Sequence, residues 1–167
     1  MKPKTKRNLQ AAFAGESQAH MKYTVFADGA KQEGFKNIGR LFTAISFAEK
    51  VHASNHFRVL YGVNSTTENL QSAIDGENYE VKDMYPEFKA TAKKDKEPDA
   101  VRSIHFSLEA EKTHAKMYAD AKRSAKAGKD IRISSVYICS VCGHTAFGKA
   151  PDNCPVCGVK KNRFKKF

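Results

Sequence analysis

Glutamate is poorly suited to the middle of a packed helical seam, yet this chain places one there in each of its four helix-like segments. Apolar residues recurring in steps of three and four predict helices over about residues 4–33, 37–61, 67–93 and 99–127. The first seam reads Leu9, Phe13, Glu16, His20, Tyr23, Ala27, and the second Ile38, Phe42, Ile45, Glu49, His52, His56, Val59. The third reads Leu70, Ile74, Glu77, Val81, Met84, Phe88, and the fourth Val101, Ile104, Leu108, Glu111, Ala115, Tyr118. Four long amphipathic segments with short polar breaks predict a four-helix bundle. Pro86 lies within the third segment and predicts a kink or local break there.

An unpaired carboxylate taken out of water costs several kcal/mol, and neighbouring carboxylates add repulsion. Bound cations remove that cost. Glu49-x-x-His52 and Glu111-x-x-His114 each set a carboxylate and an imidazole three residues apart on one helix face, and Glu77-x-x-Glu80 does so with two carboxylates. Adding Glu16 gives five carboxylates and two imidazoles. This is the ligand pattern of di-iron and di-manganese bundles, in which two helices give Glu and two give Glu-x-x-His. Mixed oxygen and nitrogen ligation suits iron or manganese better than copper or calcium. His20 and His56, each one turn from a ligand, read as hydrogen-bonding or packing residues, and Tyr23 and Tyr118 as core aromatics.

From Tyr137 onward the helical period stops, and glycine, proline and cysteine concentrate. The cysteines form two C-x-x-C pairs, Cys139/Cys142 and Cys154/Cys157, with Gly143 and Gly158 directly after the second member of each. Clustered pairs of this kind predict one tetrahedral four-sulfur metal site rather than a disulfide framework. The spacing serves zinc or iron equally. The domain division expected is 1–134 for the helical part with its linker, and 135–167 for a small four-cysteine domain.

The motifs Glu16-Ser-Gln-Ala-His-Met-Lys-Tyr23, Ala48-Glu49-Lys-Val-His52-Ala53, Gly76-Glu77-Asn-Tyr-Glu80, Met84-Tyr85-Pro86 and Ala110-Glu111-Lys-Thr-His114-Ala115, with the two cysteine knuckles after them, resemble the rubrerythrin family over nearly the whole chain. The resemblance implies a ferritin-like four-helix bundle with a di-iron site, and a rubredoxin-like domain with one iron in four thiolates. It implies reduction of hydrogen peroxide to water. It makes Glu49 and Glu111 bridging ligands, Glu16 terminal on one iron, Glu77 and His114 terminal on the other, and Glu80 and His52 a pair that exchanges on the first iron. It makes Tyr23 and Tyr85 hydroxyls that line the site. Glu77 or Glu80 is the expected proton donor to the leaving oxygen.

The net charge is +11, and ligation of five glutamates leaves still fewer acidic groups to offset the 29 lysines and arginines. An acidic electron donor, a rubredoxin or a reductase, is the partner this charge favours. Nucleic-acid binding by a zinc ribbon is disfavoured: beyond Phe164 and Phe167, residues 137–167 show no surface pattern of alternating aromatic and basic residues. Ferritin-like iron oxidation and storage is the main rival activity, and it has no use for an electron carrier. No secretory signal and no membrane span is evident, so the expected location is the cytoplasm. Helix continuing beyond His114 carries the chain about 20 Å from the site at 1.5 Å per residue. The expectation is therefore a homodimer or higher homo-oligomer, with the four-cysteine domain docked on a neighbouring chain.

Overall fold

The computed structural model describes residues 1–167. It contains two compact units, Met1–Val63 and Asn64–Phe167.

The first unit is a hairpin of α1 (Pro3–Gln32) and α2 (Lys36–Tyr61). Pro3 opens α1, where its missing N–H has no helical partner to lose. Small residues line the contact: Ala27, Ala30, Gly39, Ser46 and Ala53 are its buried positions. Aromatic clusters pack towards its two ends, Phe13 with Phe57 and Tyr61, and Tyr23 with Phe26 and Phe42.

The second unit begins with α3 (Thr66–Tyr79). Ser65 and Glu68 form a reciprocal capping box there, which contributes on the order of 1 kcal/mol. The third predicted helix is in fact two helices joined by a wide turn. A π-helical segment, Glu80–Met84, separates α3 from α4 (Tyr85–Lys94). Pro86 offers no N–H and its ring would collide with the carbonyl four residues back, so the ladder widens one turn earlier. The Tyr85 N–H closes the wide turn on the Glu80 carbonyl. Next, α5 (Pro98–Lys126) packs along α3 and α4.

Gly128, at φ 67°, ends α5 with bonds from its own N–H to the Ala125 carbonyl and from the Lys129 N–H to the Ser124 carbonyl. After the linker come β1 (Val136–Cys139), β2 (Thr145–Phe147) and β3 (Phe164–Lys166), antiparallel in the order β2-β1-β3. The strands carry the cysteine loops, whose small core is Cys139, Cys142 and Cys154 with Val156, Val159, Phe164 and Phe106 against it.

Phe106 belongs to α5, so the four-cysteine domain folds back onto α5 of its own chain. The chain reversal after Gly128 provides the route that helix length alone concealed.

Several seam residues are less enclosed than the sequence pattern implies. Ile38 is 49 % exposed, Ile45 41 %, Val59 61 % and Phe88 47 %. A packed helix pair covers only the flank facing its neighbour, which leaves part of each apolar stripe open. No helix is long and apolar enough to cross a membrane.

Candidate metal centres

Three groups of metal-binding atoms converge, each with all its donor atoms within 4.8 Å of one another: Glu16/Glu49/His52, Glu77/Glu111/His114, and Cys139/Cys142/Cys154/Cys157.

In the first group, α1 supplies Glu16 and α2 supplies Glu49 and His52. His52 Nδ1 lies 3.0 Å from Glu49 Oε2 and 3.9 Å from Glu16 Oε1. One turn away, His20 Nδ1 bonds the Ser46 hydroxyl at 2.9 Å and holds α1 to α2, the supporting role its position suggested.

In the second group, α3 supplies Glu77 and α5 supplies Glu111 and His114, with His114 Nδ1 2.5 Å from Glu111 Oε2. Glu80 begins the π segment and is not in the converging set. It is close enough to feel it: burial and the Glu111 charge push its carboxyl up, while His114 pulls it down.

The carboxyls register this crowding. Burial, then a hydrogen bond and charge from Glu111, then Glu80, push Glu77 from 4.5 to about 7. A hydrogen bond with Glu49, then burial and the Glu49 charge, raise Glu16, and the same bond from the other side, together with His52, lowers Glu49.

A pH dependence follows for the metal-free protein. Between about pH 4.5 and 7 the unfolded chain releases the Glu77 proton and the folded chain keeps it, so folding loses stability as pH rises. The raised Glu16 and Glu80 act in the same sense, and the lowered Glu49 acts only below its ordinary value. Thermal melts of metal-free protein should show a lower Tm near pH 7.5 than near pH 5.5, and Glu77→Gln should flatten the difference. An equal slope in that variant would contradict the assignment to Glu77.

Tyr23 lies in the aromatic cluster, its ring centroid 6.2 Å from that of Phe26 and 6.1 Å from that of Phe42. Tyr85 is half-buried at the start of α4.

In the third group the sulfur pairs Cys139/Cys157 and Cys142/Cys154 are 3.6 and 3.5 Å apart. A disulfide needs about 2.05 Å. A tetrahedron with metal–sulfur bonds of about 2.3 Å has edges of about 3.8 Å, so the spacing is that of a four-coordinate ion. Gly143 at φ 78° and Gly158 at φ 76° turn the loops as their positions predicted. Burial pushes the Cys142 and Cys157 thiols up; at Cys154 burial is outweighed by N–H groups of Cys157 and Val156 donated to sulfur. Sulfurs this close cannot all ionise without a cation among them, and the residues fit one.

A sequence model of rubrerythrin matches residues 7–122, and one of the rubrerythrin rubredoxin-like domain matches residues 137–165. The chain belongs to the rubrerythrin family. It is 46 % identical to Rubrerythrin-2 of Clostridium acetobutylicum, covering 95 % of this chain and 94 % of that one. It is 37 % identical to a rubrerythrin of Porphyromonas gingivalis, covering 97 % and 89 %. Among solved structures, fully reduced, all-ferrous nigerythrin aligns with a TM-score of 0.59 at 32 % identity, over 98 % of this chain and 86 % of that one. The fold is thus the ferritin-like fold of rubrerythrins with a rubredoxin-like domain, and its metal centres are a di-iron carboxylate site and a one-iron four-cysteine site. The donor chemistry agrees: carboxylate with imidazole for the pair, thiolate for the single ion.

One residue in contact with the second group carries no signal in the sequence. Thr145 Oγ1 lies 2.7 Å from His114 Nε2. Thirty-one positions separate the two, and no motif links them. His144, beside Thr145, is half-buried with its Nδ1 unpartnered, and burial followed by the His114 charge lowers its pKa.

Proposed function

We propose that this protein reduces hydrogen peroxide to water, with electrons passed from an external donor through the four-cysteine iron to the di-iron site. The observation that carries this reading is the seating of the four-cysteine domain on α5. Phe106 of α5 packs against the cysteine core and Thr145 meets His114, so the electron carrier stands on the helix that bears two of the three members of one ligand triad. Iron storage would need no carrier there.

The ligands we assign to the iron pair are Glu16, Glu49, His52, Glu77, Glu80, Glu111 and His114, and those of the single iron Cys139, Cys142, Cys154 and Cys157. The division of labour we assign is 1–134 for the oxygen chemistry and 135–167 for electron delivery. When bound, the iron pair supplies the two electrons that convert one peroxide and two protons into two waters.

The chain's own groups supply position and protons. Glu77, beside Glu111 and His114 in the second group, is one candidate to give a proton to the leaving oxygen. Glu80 is the second candidate: its place on the π turn frees it from the regular helical register, which suits a carboxylate that exchanges with His52. Tyr23 and Tyr85 are the hydroxyls we assign to lining the site. The exposed Ile38, Ile45, Val59 and Phe88 offer apolar surface that a homo-oligomer would bury.

The net charge of +11 supports an acidic donor protein, a rubredoxin or a reductase, working in the cytoplasm. The test is anaerobic: iron-loaded protein, an acidic rubredoxin kept reduced, and peroxide. Peroxide should be consumed catalytically, at a rate that falls from low to physiological salt as the encounter is screened. Absence of peroxide turnover, with many irons accumulating per chain on exposure to oxygen, would establish storage instead. A rate indifferent to salt would remove the acidic donor.

A further inference from the structure

We propose that Thr145 is the positioning residue of His114: its hydroxyl accepts a hydrogen bond from Nε2–H and so leaves the Nδ1 lone pair to the metal. The inference rests on His114 being a ligand, as assigned above.

Thr145 is 6 % exposed and sits on β2, paired with Ile138 of β1. Its hydroxyl has one proton to give. The Gly143 carbonyl, at 3.2 Å, is an acceptor placed to receive it. With that proton directed to Gly143, the hydroxyl oxygen accepts from His114 Nε2, 2.7 Å away, in the tautomer the proposal assigns. The other nitrogen, Nδ1, faces Glu111 Oε2 at 2.5 Å and lies in the triad with Glu77. The ring is thus contacted at both ends, at Nε2 by the four-cysteine domain and at Nδ1 by the triad.

The support for this contact is the cysteine loop itself. Gly143 follows Cys142, its N–H bonds the Cys139 carbonyl at 2.9 Å, and a Cβ built on it would meet Ala110 of α5 at 3.9 Å. The Cys139 N–H bonds the His144 carbonyl at 2.9 Å. The backbone that positions the thiolates therefore also places the group that orients a bundle ligand. A ligating histidine ordinarily gives its second N–H to a carboxylate, carbonyl or water close by, and losing that partner lowers metal affinity or activity about 10–100-fold. Here the partner comes from the other domain.

The experiment titrates Fe(II) anaerobically into full-length protein whose four-cysteine site is loaded and whose bundle has been emptied by chelation. Thr145→Val removes the hydroxyl at nearly constant volume and should weaken one of the two bundle ions by about 10–100-fold. Thr145→Ser restores the hydroxyl and should restore most of the affinity. His114→Ala is the control: unchanged binding there would refute the ligand assignment itself. Loss in His114→Ala with wild-type affinity in Thr145→Val would overturn the role of Thr145 alone. So would failure of serine to rescue. The colour of the ferric four-sulfur site reports whether each variant's small domain is intact. A measurement on the unaltered protein guards against misfolded variants: in the zinc-substituted form, imidazole nitrogen NMR should show His114 bound through Nδ1 with an exchange-protected Nε2–H. Coordination through Nε2 would overturn the proposal.

Discussion

Replacing Cys154 with serine should reduce donor-driven peroxide turnover to background while leaving the first oxidation of the chemically reduced bundle fast. The variant keeps every carboxylate and imidazole assigned to the iron pair but breaks the four-sulfur set, in which Cys154 stands 3.5 Å from Cys142 and is 3 % exposed. The bundle can therefore react once and cannot be reloaded with electrons. Truncation before Ser135 should give the same division between steady-state and single-turnover rates. It also removes Thr145, so the truncated protein should be assayed with iron in excess. The measurements are peroxide consumption with a reduced rubredoxin, and stopped-flow oxidation of dithionite-reduced protein by peroxide. Undiminished donor-driven turnover in Cys154→Ser would eliminate the relay. Slow single turnover with bundle iron still present would instead place the cysteines in the peroxide chemistry itself.

The double replacement Glu49→Ala/Glu111→Ala should take the iron content from about three ions per chain to about one, the remaining ion held by sulfur. The two residues belong to different triads, and each lies on the same helix as its triad's histidine. Removing both leaves Glu16 with His52, and Glu77 and Glu80 with His114, and takes away the carboxylate assigned to bridge the two ions from each side. Elemental analysis measures the loss. A second readout is stability: iron at a hundred times its dissociation constant stabilises a binding-competent fold by about 2.7 kcal/mol. The emptied wild-type bundle should show this upward shift in Tm on adding Fe(II), and the variant should not. Retention of three ions by the variant would refute the site.

How much of this was present in the sequence varies from element to element. The helices were legible to within a residue or two because α1, α2 and α5 combine unbroken periodicity with proline, glycine or polar stops at their ends. The break at Pro86 was legible, but its form was not. A proline specifies that the hydrogen-bond ladder must yield, whereas the packing of α3 and α4 along α5 decides that it yields as a π turn at Glu80–Met84. The triads were readable because a carboxylate and an imidazole three residues apart share a helix face whatever the tertiary fold. The cysteine site was readable because C-x-x-C closes a tight loop by local geometry.

What depended on distant parts of the chain stayed hidden. Exposure of Ile38 or Val59 is a property of what lies opposite, which periodicity does not encode. Glu77 is pushed to about 7 by burial and then by the Glu111 carboxyl across the helix pair, both of which depend on packing. The return of the tail to α5 turns on a single left-handed glycine and a linker without regular structure, and neither announces where the chain will land. The meeting of Thr145 and His114 is the clearest case. Sequence by itself determined the ligand types and the elements that carry them, because those follow from local spacing. Only the tertiary structure decided which hydroxyl stands behind which imidazole, because a hydrogen bond is satisfied by whatever donor or acceptor the packing of separate elements brings within about 3 Å.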